Sequence, residues 1–212
     1  MKLARAKVRF AMFFKMTKNQ LERKLKILKA AAVSFATFGF HISDIDKIAK
    51  NAGVGKGTLY RYFQNKEDLF FESVKYCADE MYDEIGKKLE NVSYDHFVEA
   101  LFDAHMDYYR EHGDTYLLVA NAVTQMPETT VDFFHELHKE KMKSIVSKLE
   151  SGVRSGEVKD DLDLEILVKM LNVVSQLFCL TKDLSPEADD YERVKKTFVN
   201  VFNHGLLNNK NL

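Results

Sequence analysis

Apolar residues recur along most of this chain at three- and four-residue intervals, the period of helices that turn one face inward. After Thr17 the run Leu21, Leu25, Leu28, Ala32 and Phe35 predicts a first helix ended by Gly39, and Thr17 with Gln20 three residues on makes a capping box. Ile45, Ile48, Ala49 and Ala52 share one face of a short second helix, for which Ser43 and Asp46 offer another capping box and Gly53 the stop. Leu59 and Phe63, four apart, pack inward with Val54 from a third helix over 56–63. Asn65 caps a fourth, with Glu67 and Asp68 in its positively polarised first turn. That helix continues through Phe70, Val74, Cys77, Met81, Ile85 and Leu89.

Beyond a polar break at 91–93 the helical pattern resumes. Ser93 opens a helix carrying Phe97, Leu101, Phe102, His105, Met106 and Tyr109, stopped near Gly113, and a short helix over 114–126 follows. A long helix covers 128–155, and two more lie at about 163–182 and 186–207. The two prolines, Pro127 and Pro186, stand where a first helical turn tolerates them. The expectation is an all-α chain of nine or ten helices, divided into a basic arm (1–16), a first domain (17–64) and a second (65–212).

A chain of 212 residues, 46% hydrophobic and 30% charged, has the make-up of an ordinary soluble globular protein. Its net charge of -1 hides an asymmetry. Residues 1–66 hold 15 Lys and Arg against Glu22, Asp44 and Asp46, a balance of +12, while the remainder holds 16 against 29, a balance of -13. A basic head on an acidic body is the footprint of polyanion binding. Cys77 and Cys179 lie far apart among apolar neighbours, which favours reduced, buried thiols and a cytoplasmic location. No apolar run is expected to approach bilayer-spanning length, so no membrane is expected as a partner.

The head holds the chemistry. Gly53, Val54 and Gly55 make a turn of the length that joins two steeply crossing helices, as in a helix-turn-helix, where the second helix enters the DNA major groove. Lys56, Thr58, Tyr60, Arg61 and Tyr62 then fall near its outer side, supplying donors for phosphates and base edges. A phosphate-cradling loop needs Gly five positions before its Gly-Lys pair and Ser or Thr directly after the Lys; Lys50 and Gly57 occupy those places.

This stretch resembles the DNA-binding domain of the tetracycline-repressor (TetR) family of bacterial regulators. The resemblance rests on Ala52, Gly53 and Val54, then Lys56, Gly57, Thr58, Leu59, Tyr60, Tyr62 and Phe63, then Lys66, Glu67, Asp68 and Leu69. Upstream, Ile27, Leu28, Ala31, Phe35 and Gly39 extend it to roughly residues 18–70. Gly55 departs from the Ser or Thr more usual at that cap, at a cost of a few tenths of a kcal/mol. The resemblance implies a homodimeric, ligand-responsive regulator, a repressor of a palindromic double-stranded DNA operator. Lys56 and Arg61 are the candidates for base edges, with Gly55 and Gly57 at the close approach; Thr58, Tyr60, Tyr62 and Lys66 are candidates for phosphates. Ser43 is expected to offer its hydroxyl or backbone N–H to a further phosphate.

In the body the resemblance implies an effector cavity for an apolar or aromatic molecule. Its candidate lining is Phe102, His105, Met106, Tyr109, Tyr116, Asn121, Gln125, Phe134, Met170, Val173, Gln176 and Leu177, with Asn172 among the polar groups nearby. The last two helices are expected to pair across a two-fold axis through Leu171, Phe178, Val194, Phe198, Val201 and Phe202. His135 and His138 miss the H-E-x-x-H spacing and, beside Lys139 and Lys141, read as a solvated face. No catalytic constellation, metal or cofactor is expected. An interaction protein whose basic head binds an acidic protein or membrane surface is the alternative. For residues 1–16 the sequence leaves three readings open: a DNA-contacting arm through Lys2, Arg5, Lys7 and Arg9, an amphipathic surface segment, and translation that begins at Met12 or Met16.

Overall fold

The computed structural model describes residues 16–122, 131–180 and 191–207, without the side chains of 131–135 and 180. Two compact units divide the chain, one ending at Val74 and the other beginning at Lys75. Among the described residues there are eight α-helices: α1 (Lys18–Ile42), α2 (Ile45–Asn51), α3 (Lys56–Tyr62), α4 (Lys66–Leu89), α5 (Phe97–Asn121), α6 (Val131–Ser155), α7 (Leu164–Leu180) and α8 (Tyr191–Leu206). A single 3-10 turn, Tyr94–His96, precedes α5. The count falls short of nine or ten because α5 runs past Gly113. Only His112 leaves helical geometry there (φ -133°, ψ 36°), so a break expected between two helices is a kink within one.

In the first unit, Thr17 and Gln20 form the expected capping box at the start of α1. The backbone leaves the helix at Gly39 (φ 74°) before one further turn to Ile42. Ile27, Leu28, Ala31, Ala32 and Phe35 of α1 are buried with Ile48 and Ala49 of α2, Leu59 of α3, Phe63 and Phe70. Each large side chain so removed from water contributes about 1.5–3 kcal/mol. Phe70 meets Phe35 edge to face, with 5.1 Å between ring centres. Among the described residues α1 has the length and mean hydropathy (1.3) of a bilayer-spanning helix, contrary to expectation. A run of Ala, Val and Phe after Lys29 raises that mean, and its inward face is the core of this unit.

In the second unit α5 packs on α7 and α8, and α6 packs on α7. Phe102 gathers Phe178, Tyr191 and Phe198 around it at 5.8, 5.9 and 5.0 Å. At the rim, Lys195 of α8 reaches Asp103 at 2.7 Å and Glu99 at 3.0 Å on α5. Burial works against the Lys195 ammonium, but those two carboxylates outweigh it and hold its pKa above the ordinary range. The end of α6 folds back tightly. A Cβ on Gly152 would lie 2.6 Å from Val158 Cγ2 and 2.7 Å from Tyr94 Cε1, so only glycine fits. Gly152→Ala is therefore expected to lower stability by about 1–3 kcal/mol through overpacking, measured as a lower urea midpoint with an unchanged slope.

Candidate functional site

The presentation of α3 follows from local backbone chemistry. Ala52 closes α2, and Gly53 takes φ +68°, a left-handed conformation that costs glycine little. Its N–H donates to Lys50 O at 3.1 Å and the N–H of Val54 to Ala49 O at 3.0 Å, the paired bonds of a Schellman ending. Gly55 then caps α3 through its carbonyl, which accepts from Thr58 N at 2.8 Å; no side chain assists. Leu59 and Phe63 are buried and Val54 is half-buried.

The opposite side of α3 is open. Lys56, Tyr60 and Arg61 are exposed, Thr58 and Tyr62 half-buried, and a Cβ at Gly55 or Gly57 would meet nothing within 4 Å. Lys56 Nζ reaches Asp46 Oδ2 at 2.9 Å across the turn, a contact that no sequence spacing marks. The hydrogen bond that Lys56 donates to Asp46, and the charge of that carboxylate, raise the Lys56 pKa, so the ammonium is fully charged near neutrality. Lys66 donates to His41 O at 3.0 Å and lies over the Phe40 ring at 5.1 Å, tying α4 to the end of α1. Asn65 caps α4 as expected: its Oδ1 accepts from Asp68 N at 2.7 Å, while Asp68 Oδ2 accepts from Gln64 N at 2.9 Å.

Two expectations fail here. Ser43 does not cap α2. Asp44 does, accepting from Asp46 N at 2.7 Å, because it stands one residue nearer the first helical turn. Ser43 is buried, its hydroxyl directed to Ser34 O (2.9 Å) and Gly39 O (2.8 Å) and its N–H to Gly39 O (3.2 Å), so both donors proposed for a phosphate are engaged. Lys24 of α1 is buried against Glu72 at 3.0 Å. Ser43→Ala is accordingly expected to cost about 1–3 kcal/mol of stability, read from the thermal transition.

The body gathers polar groups from four helices. His105 Nδ1 (α5) lies 3.1 Å from the Tyr116 hydroxyl, and Asn172 Nδ2 (α7) donates to the Tyr82 hydroxyl (α4) at 3.4 Å. That hydroxyl is 3.2 Å from His138 Nδ1 (α6). His138 is thus half-buried in a polar contact rather than on a solvated face. Tyr82 was missed because it stands one position beside the apolar stripe of Met81 and Ile85.

Of the expected effector lining, Phe102, His105, Met106 and Tyr116 are buried together. Tyr109 packs on Tyr116 at 5.6 Å, and Asn121 and Gln176 are half-buried. Met170, Val173 and Leu177 are instead about half exposed, because they share with Ile166 a second apolar stripe on the outer side of α7. Leu171 and Phe198, expected at an interface, are interior for the same reason. Phe178, Val194 and Phe202 are half-buried, and Val201 is 63% exposed. Gln125, and the side chain of Phe134, lie outside the described residues, as do residues 1–15. A surface groove elsewhere, between the end of α4 and α6, is bordered by Leu89, Phe97, Ile145 and Lys148 and by none of the expected lining.

Burial pushes the Cys77 and Cys179 thiols up to about 12, leaving neither as a thiolate near neutrality. Glu84, Glu111 and His112 place their ligand-type atoms within 4.8 Å of one another, an exposed cluster of weak ion pairs. Burial pulls His105 down to about 4, partly offset by Asn172. Its unfolded value is about 6.5, so folding favours the neutral ring; the contribution is complete above that value and fades as pH falls through 4. The loss is about 3 kcal/mol, and His105→Gln should remove that part of the acid slope in urea titrations at stepped pH.

Residues 27–72 match the family described as bacterial regulatory proteins, tetR family. An uncharacterized HTH-type transcriptional regulator of Bacillus subtilis, YhgD, is 29% identical over 78% of this chain and 88% of its own. The fatty acid metabolism regulator protein of the same organism is 28% identical over 73% and 80%. Among solved structures, Salmonella enterica GusR superposes with a TM-score of 0.74 at 22% identity, covering 90% of this chain and 97% of that one. Bacillus subtilis FadR in complex with stearoyl-CoA gives 0.71 at 22%, covering 84% and 96%. Residues 27–72 thus carry the DNA-binding segment of the tetR family of bacterial regulatory proteins, and the chain is a DNA-binding transcriptional regulator.

Proposed function

We propose that the chain acts in the cytoplasm as a homodimeric repressor, holding a palindromic operator until a largely apolar small molecule binds the body. The outward polar face of α3, set by the Gly53 turn and backed by Leu59 and Phe63, is the observation that carries this reading. Lys56 and Arg61 read base edges; Tyr60, Thr58 and Tyr62 hold phosphates and fix register, and Gly57 permits close approach. Asp46 yields Lys56 to the DNA at little cost, since an exposed pair of this kind contributes little.

Ile166, Met170, Val173 and Leu177 form an exposed apolar stripe at four-, three- and four-residue steps on α7, with Val201 exposed on α8. Such a stripe supports a two-fold contact between copies. Relatives support the effector: the solved Bacillus subtilis FadR holds stearoyl-CoA, and a 26% identical relative in Mycolicibacterium smegmatis is named a transcriptional repressor. Ligand in the body acts through α4, which supplies Tyr82 to the interior and continues as the capped segment beginning at Lys66. Coupling of about 1–3 kcal/mol is the usual scale.

On a duplex that the protein binds specifically, Lys56→Ala and Tyr60→Ala are each expected to weaken binding by about ten- to a hundredfold, and Lys56→Ala to lower the salt slope by about one. Unchanged affinity in both variants, measured by gel shift in excess competitor DNA, would contradict the assignment and favour charge-only attachment to an acidic surface.

A further inference from the structure

The outward face of α3 is basic, yet a carboxylate stands against it. Residues 17–66 hold three acidic side chains, Glu22, Asp44 and Asp46. Glu22 is an exposed residue of α1, and Asp44 caps α2 by accepting from Asp46 N. Asp46 is turned to α3: across ten positions of chain its Oδ2 accepts from Lys56 Nζ at 2.9 Å. Because Asp44 already closes the start of α2, capping does not account for the direction of the Asp46 carboxylate. A carboxylate on a surface that approaches a polyanion repels phosphates and weakens every DNA complex alike, unless a donor on a base edge meets it.

The Lys56–Asp46 pair has the complement of one base-pair edge. In the major groove guanine shows the acceptors N7 and O6, and its partner cytosine shows the N4 amino donor. A Watson–Crick hydrogen bond joins N4 to O6, so that donor and acceptor lie roughly 2.9 Å apart, the ordinary N–H···O distance. Lys56 and Asp46 offer an ammonium donor and a carboxylate acceptor at the same separation. Both are exposed and their ion pair is weak, which leaves them free to turn from each other to the bases. Lys56 is the first residue of α3, at the end of a recognition helix that meets base edges, so a base pair that Lys56 reaches is also within reach of Asp46. Other pairs fit worse. Adenine in place of guanine sets its N6 donor against the ammonium and thymine O4 against the carboxylate. Thymine there, opposite adenine, keeps the order of acceptor and donor but puts a methyl group where N7 stood.

We infer that Asp46 is a specificity-determining residue of the operator complex: with Lys56 it reads one G·C pair of the half-site, Lys56 donating to guanine O6 and N7 and Asp46 accepting from cytosine N4. This rests on the reading of the chain as a regulator that recognises DNA sequence through α3, and narrows that reading to one base pair. Part of the selectivity is repulsive. An acceptor in place of cytosine N4 leaves the carboxylate unpaired in the field of the phosphates, so wrong sequences are rejected rather than merely unrewarded.

The test is selection of bound duplexes from a random-sequence DNA pool by the full chain and by Asp46→Ala, Asp46→Asn and Lys56→Ala, with thermal transitions checking the fold of each. The unaltered chain is expected to enrich a motif containing a G·C pair at which Asp46→Ala lowers the preference over A·T by about fivefold or more, other positions being unchanged. Lys56→Ala should relax the same position. Asp46→Asn, whose amide suits adenine N6 and N7, should admit adenine in place of cytosine. Should Asp46→Ala fail to fold, Asp46→Asn decides alone. An unchanged motif in the Asp46 variants, relaxation by Asp46→Ala and Lys56→Ala at different positions, or a uniform gain in affinity for all duplexes on Asp46→Ala would overturn the inference. A motif that the unaltered chain enriches and that ignores Asp46 leaves the DNA-reading assignment standing, whereas no motif from the unaltered chain removes both.

Discussion

The burial of Leu59 and Phe63 against α1 and α2 is the contact on which the head depends. Leu59 sits on one side of a seven-residue helix, too short to be stable by itself, and Phe63 follows its last residue. Packing therefore makes α3 a helix, and the same packing decides which residues face out. The Gly53 turn supplies the other half of the constraint. Two backbone hydrogen bonds close α2, a left-handed glycine reverses the chain, and α3 can then leave only in a direction that keeps Leu59 inside. Function in the head is what remains once these apolar demands are met: an uncovered face of cations and hydroxyls.

The body solves a different problem. It must enclose polar groups without charge and yet present apolar surface outward. Helix α7 does both, with Val168, Leu171 and Cys179 inside and a second stripe outside. The Lys195 contacts to Asp103 and Glu99 lie at the rim, where water still shares the cost of charge. What is left in the middle is a hydrogen-bonding set contributed by α4, α5, α6 and α7. Helix α4 contributes Tyr82 to that set and opens with the Asn65-capped turn.

The head was largely legible in the sequence because its determinants are local. The capping box at Thr17, the stop at Gly53 and the Asn65 cap each need only residues within four positions of one another. Errors arose where a choice depended on contacts far along the chain. Ser43 and Asp44 are both good caps, and the preference for Asp44 follows from Ser43 being drawn in toward Ser34 and Gly39. Lys24 looks like any exposed lysine until Glu72, 48 positions on, takes it. In the body, periodicity had no means to say which apolar stripe of α7 faces in, so Met170, Val173 and Leu177 changed places with Leu171. Tyr82 and His138 meet only in three dimensions.

The central claim is that a preset recognition helix reads sequence, and that two of them act together. Selection of bound duplexes from a random-sequence DNA pool, followed by sequencing, tests it most directly. The account predicts enrichment of an inverted repeat whose half-sites lie about one helical turn, roughly 34–36 Å, apart. Binding that enriches no sequence and vanishes steeply as salt rises would contradict it.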